Sequence, residues 1–182
     1  MPAKILPNSL FLVSVICFLI SGFLFAQRYG YFVPQNQPII GDIQIAGAAT
    51  YNGEIGSPSS IAIPSLGLNL PIVITHMEGK KWPTTPSGVS YLANSAVPGD
   101  MGNAVFYGHN WPSILGTLKN TKTGDKLIIQ YQDGKSRDFT VDKVFIVGPD
   151  STEILAQSNT PKITVYTCTG FLDAKRLVVT AI

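Results

Sequence analysis

Apolar residues are distributed along this chain in two different ways. Leu10 to Ala26 reads LFLVSVICFLISGFLFA, seventeen residues without a charge. No polar face interrupts the run, as one would in a buried globular helix. Beyond residue 58 the apolar residues come instead in short, β-branched runs divided by Gly, Pro, Asn and Asp. The first pattern predicts a helix at the short end of the range for a membrane span, roughly 17–25 residues, with Asn8 and Ser9 able to extend it. Lys4 and the α-amino group precede the run and Arg28 follows it. That slight bias favours a cytoplasmic N-terminus. A cleaved signal peptide is the competing reading, but cleavage after Ala26 would put Leu24 where a small residue is wanted. Residues 1–28 are therefore read as a cytoplasmic stub and transmembrane signal-anchor. An anchor and a cleaved signal both place the remainder of the chain outside the cytoplasmic membrane.

Residues 29–58 lack sustained periodicity and are rich in Gly, Pro, Asn and Gln, as a flexible linker or loose arm would be. Residues 59–182 read as one folded domain, long enough for a single core. Its candidate strands are Ser60–Ile63, Leu70–Thr75, Ala104–Tyr107, Lys126–Tyr131, Arg137–Val147, Lys162–Thr167 and Leu177–Ile182. Turn residues separate them, and Asp133-Gly134 predicts a hairpin with a type I′ turn. Short helices are expected at Ser90–Asn94, Pro112–Leu118 and Ser151–Gln157. Many short strands with frequent turns predict an all-β domain with short helices, an antiparallel barrel or a sandwich.

Composition sharpens this picture. Charged residues make up 13% of the 182 residues and the formal net charge is +2. Lys4 and Arg28 are the only charges in the first 28 residues; removing them from the thirteen basic residues leaves eleven, against eleven acidic. A neutral domain lacks the basic patch of a nucleic-acid-binding protein, and its apolar runs exclude a disordered chain. The cysteines are Cys17 and Cys168. Cys17 lies within the apolar segment, so a disulfide with Cys168 is not expected, and Cys168 is either a reactive thiol or a small buried apolar residue.

The stretch richest in chemistry is KITVYTCTGFLDAKRLVVTAI, Lys162 to Ile182. A β-branched strand runs into Cys168, and Arg176 opens a second apolar strand. A hairpin would set Arg176 opposite Cys168, where a cation favours thiolate and a guanidinium can donate to an oxyanion. A cysteine nucleophile also needs a proton partner. Of the two histidines, His76 lies in a polar stretch that reads as a solvated loop. His109 ends an apolar strand, after a Gly108 that permits close backbone approach.

These residues resemble a known family. Thr164-Val165-Tyr166-Thr167-Cys168 followed by Arg176 is similar to the Thr-Leu-x-Thr-Cys…Arg signature of bacterial sortases. Pro98 to His109, PGDMGNAVFYGH, resembles the stretch carrying the sortase histidine. Ile63–Ile72 and Leu118–Asp125 resemble the family's first strand pair and the loop before a central strand. The resemblance runs in order from Ile61 to the C-terminus; Val165 departs from it, standing where the family usually has Leu. It implies a sortase-like closed β-barrel of about eight strands. It also implies a cysteine transpeptidase that cleaves an LPxTG-like sorting signal of an exported protein through a Cys168 thioester. The acyl group would pass to an amine acceptor on the cell wall or a pilin.

In that reading His109, Cys168 and Arg176 are catalytic. Thr167 contacts substrate backbone or is simply a good strand residue, and Val165, Ile72 and Ile74 line a substrate groove or belong to the core. The acidic residues are scattered, so neither a metal site nor a cofactor is expected. A cysteine peptidase without transfer and a non-catalytic sortase-like binding module are the alternatives.

Overall fold

The structure, a computed structural model, describes residues 7–28, 56–77 and 82–182, with side chains in the N-terminal part described from Leu10 to Phe25. The expected linker over 29–58 lies outside the described residues except at its end, as do Lys4 and residues 78–81. The chain falls into two compact units, Met1–Asn36 and Gln37–Ile182.

In the first unit, the uncharged run forms a helix, α1 (Pro7–Arg28). Its described side chains are exposed on every face. The expected transmembrane segment is thus present as a helix, but among the described residues no helix is long and apolar enough to cross a membrane.

The second unit is a barrel of eight strands: β1 (Pro58–Ile63), β2 (Leu68–Thr75), β3 (Val89–Leu92), β4 (Gly102–Gly108), β5 (Lys126–Tyr131), β6 (Ser136–Val147), β7 (Pro161–Thr169) and β8 (Lys175–Ala181). It closes in the order β1-β2-β3-β4-β7-β8-β6-β5. The β2–β3 and β4–β7 pairs are parallel and the others antiparallel. Closure leaves no sheet edge unpaired, the usual way for an all-β domain to avoid edge-to-edge association.

Strand alternation then sorts side chains into two apolar layers. Ile61, Ile63, Phe106, Ile163, Val165 and Val179 fill the barrel interior. On the outer face of β3, β4, β7 and β8 a second layer forms from Leu92, Val105, Tyr107, Tyr166 and Val178, joined by Trp82 and by Ile154 and Leu155 from the β6–β7 loop. Strands buried on both faces read as nearly continuous apolar runs, as β4 does.

Three local expectations are corrected. Ser90–Asn94 is not helical: Val89–Leu92 is strand β3, buried at all four positions. A four-residue run is too short to show a period by which helix and strand can be told apart, and Ser90, its one polar residue, is buried like the rest. The Asp133-Gly134 hairpin forms, but not with a type I′ turn. Gly134 has φ 82°, whereas Asp133 is not among the residues of positive φ. The Gly134 N–H donates to the Tyr131 carbonyl and the Tyr131 N–H to the Lys135 carbonyl, the pattern of a longer loop with glycine at its left-handed position. Finally, the helices expected at Pro112–Leu118 and Ser151–Gln157 shrink to turns and short 3-10 segments, Leu118–Asn120 and Glu153–Leu155.

Candidate active site

Sheet register sets the three sequence-predicted catalytic residues side by side. Cys168 in β7 lies directly opposite Arg176 in β8. In the parallel pair on the other side, Gly108 is level with Thr167, so His109, the next residue, falls level with Cys168. Neighbouring strands lie about 4.8 Å apart, which puts an imidazole-bearing and a guanidinium-bearing residue on either side of the thiol. Alternation gives all three the same face. Two positions away on each strand are Tyr107, Tyr166 and Val178, the buried layer on which the site rests. Within that layer the Tyr107 and Tyr166 rings stack with centroids 5.6 Å apart, and Trp82 meets Tyr107 edge-on at 5.1 Å.

Each group is held by its neighbours. The His109 ring stacks on Trp111 with centroids 4.3 Å apart and planes 7° from parallel. Its carbonyl accepts the Leu115 N–H at 3.0 Å, which closes the turn that follows. A Cβ on Gly108 would lie 3.3 Å from side-chain atoms of Ile114 and Leu115, so the glycine lets that turn fold back tightly on β4. Arg176 is only 5% exposed. Its Nη1 donates to the carbonyls of Asp173 at 2.8 Å and Lys175 at 2.9 Å, while its buried Nε has no hydrogen-bond partner among the described residues.

Burial dominates the electrostatics. It pushes the Cys168 thiol above its ordinary value; the Arg176 charge opposes this and Asp173 adds to it. Burial likewise lowers His109, against the pull of Asp173. Both shifts favour a neutral thiol beside a neutral imidazole at rest, and the two groups titrate as a pair. A thiol between a proton carrier and a buried, partly unpaired guanidinium is chemically competent for acyl transfer through sulfur.

Thr167 and Val165 point the other way. Val165 is 0% exposed and belongs to the barrel interior. Thr167 is buried, and its hydroxyl donates to the Gly108 carbonyl at 2.8 Å. Ile72 packs against the interior, Ile74 is exposed, and His76 is exposed beyond the end of β2. Residues that sequence reasoning passed over are Trp111, Asn110 and Asp173. The first two follow His109 directly, and that adjacency was the one available signal. The Asn110 Nδ2 donates to the Asp173 Oδ1 at 2.8 Å.

The sortase domain family model matches residues 61–182. Sortase A of Bacillus anthracis is 30% identical over 123 residues, covering 65% of this chain and 56% of that protein. The chain thus spans little more than half the length of that curated relative. Among solved structures, sortase C-1 from Actinomyces oris is 27% identical with a TM-score of 0.59, over 68% of this chain and 69% of that one. Sortase A of Listeria monocytogenes, at 23% identity, shares the fold with a TM-score of 0.55 over 68% and 83%. The chain belongs to the sortase family of bacterial cysteine transpeptidases.

Proposed function

We propose that the chain is a membrane-anchored cysteine transpeptidase that cleaves an LPxTG-like sorting signal and transfers the new carboxyl end to an amine on the cell wall or a pilin. The observation that carries this reading is the register that pairs Cys168 on β7 with Arg176 on β8 and brings His109, the residue after β4, level with them on the other side. The Cys168 thiol passes its proton to His109 and the thiolate attacks the scissile carbonyl, giving a tetrahedral intermediate that collapses to a thioester as the C–N bond breaks and the amine leaves. Arg176 Nε, buried and without a partner among the described residues, donates to the oxyanion of the tetrahedral intermediate. His109 protonates the leaving amine and then takes the proton of the incoming one. Stacking on Trp111 favours its cationic form at the moment it is needed. Thr167 acts through its bond to Gly108, which holds the residue before His109 against β7.

Support for anchoring comes from the uncharged run Leu10–Ala26, with Lys4 before it and Arg28 after it, and from the surface of α1. Its described large apolar side chains are exposed. A cytoplasmic N-terminus puts the barrel outside the membrane, where exported substrates and wall or pilin amines are found.

The test is incubation of the full chain with an LPxTG-type peptide, with and without an amine acceptor, followed by mass spectrometry. The expected results are an acyl adduct on Cys168 and a ligated product only when the amine is present. Cleavage by Cys168→Ala at the wild-type rate defeats the reading. Adduct formation without ligation for any amine supplied makes the chain a peptidase.

A further inference from the structure

The loop from β7 to β8 is short and sharply bent. Leu172 and Asp173 both take the left-handed conformation, with φ of 51° and 58°. Residues other than glycine keep such angles only where the surroundings hold them. Apolar packing does not hold this bend, because Phe171 and Leu172 are 84% and 62% exposed. Polar contacts through Asp173 do. Its Oδ1 accepts from Asn110 Nδ2 at 2.8 Å, across 63 residues of sequence. Its main-chain carbonyl accepts from Arg176 Nη1, also at 2.8 Å. Asn110 is the residue after His109, so Asp173 is bonded on one side to the neighbour of the imidazole and on the other to the guanidinium.

We propose that Asp173 is a positioning residue of the acyl-transfer site. It ties the loop carrying His109 to the turn that leads into Arg176 on β8, so that both stay level with Cys168, and it supplies the negative charge that the imidazolium faces. This rests on the reading of His109, Cys168 and Arg176 as the reacting groups. The charge of Asp173 raises the pKa of His109 and also that of Cys168. The other charged or titratable groups acting at Cys168 are Arg176 and Tyr166, with His109 across the strand from it. Asp173 thus makes the imidazole a better proton carrier and holds the thiol protonated to higher pH.

Two substitutions separate the charge from the tie. Asparagine tolerates the left-handed backbone, and its amide oxygen can still accept from Asn110, so Asp173→Asn removes the charge alone. Asn110→Ala keeps the charge and cuts the tie. The measurement is kcat/KM against pH for the full chain with an LPxTG-type peptide and an amine acceptor, with Cys168→Ala alongside. The expected result for Asp173→Asn is that both limbs of the bell-shaped profile move to lower pH, which loss of folded protein alone does not produce. For Asn110→Ala the limbs stay and the height falls about ten- to a hundredfold, the scale of a misplaced catalytic group. Activity in Cys168→Ala refutes the site itself. With Cys168→Ala dead, unmoved limbs in Asp173→Asn overturn the proposal, and so does wild-type height in Asn110→Ala.

Discussion

Asn103 fastens the β6–β7 loop to the barrel, and the cost of removing its amide can be worked from its contacts. The residue is 0% exposed. Its Nδ2 donates to the carbonyls of Ile154 at 3.0 Å and Ala156 at 3.1 Å, and its Oδ1 accepts from the Thr164 hydroxyl at 2.7 Å. Asn103→Ala breaks all three bonds. The Ala156 carbonyl belongs to an exposed residue and can turn to water. The Ile154 bond and Thr164 are buried, so two polar groups lose their partner in the interior. A stranded buried group costs about 1–3 kcal/mol, which gives about 3 kcal/mol for the pair, a large share of the 5–15 kcal/mol typical of a domain. With a urea m-value of about 1.5 kcal/mol/M, the unfolding midpoint falls by about 2 M. Thr164→Val strands only the Asn103 oxygen and loses about half as much. The assay is urea unfolding followed by tryptophan fluorescence, with amide exchange at Ile154–Ala156 as the local readout. A loss below about 1 kcal/mol in Asn103→Ala, or unchanged exchange in that segment, refutes the reasoning.

The remaining predictions concern the site. Arg176→Lys removes the Nε donor and the planar fork, and kcat/KM for peptide transfer falls about 100- to 1000-fold; a loss under tenfold counts against an oxyanion role. Alkylation of Cys168 by iodoacetamide, followed against pH, has its midpoint above the ordinary cysteine value of 9.0, because burial outweighs the charge of Arg176; a midpoint below that value contradicts the balance described. The sign for stability follows, since a raised folded pKa contributes stability below the unfolded value that is lost as pH climbs through the folded one. Trp111→Ala removes the ring on which His109 lies and lowers kcat/KM about fivefold, from a stacking contribution of about 1 kcal/mol; an unchanged rate shows that the ring does not position the imidazole.

Much of this site was legible in the sequence because β-strands convert residue spacing into geometry. A strand into Cys168 and another out of Arg176 sufficed to set them opposite each other. The two-residue period also determined that Val165, an odd number of positions from Cys168, points into the barrel, although a groove role was one of the two readings considered for it. The parallel pairing that brings His109 beside Cys168 was not legible as register, because it joins strands β4 and β7, distant in the chain. Strand β3 was misread because it is only four residues long and all four are buried, Ser90 included, so polarity does not mark an exposed face. The bond from Asn110 to Asp173 joins two ordinary polar residues whose proximity depends on the closed barrel, and nothing local foretells it.

The strand order has a consequence for how the active site comes into being. β6 and β7 follow each other in the chain but do not pair, because β8 is inserted between them. Until β8 slots in, the barrel is open and two sheet edges are bare. β8 also carries Arg176, and the turn leading into it carries Asp173. Chain closure and completion of the charge around Cys168 are therefore the same event. A chain emerging N-terminus first has its thiol in place before its guanidinium. In the proposed mechanism, a chain whose β8 is not yet in the barrel holds the nucleophile without the donor to the oxyanion.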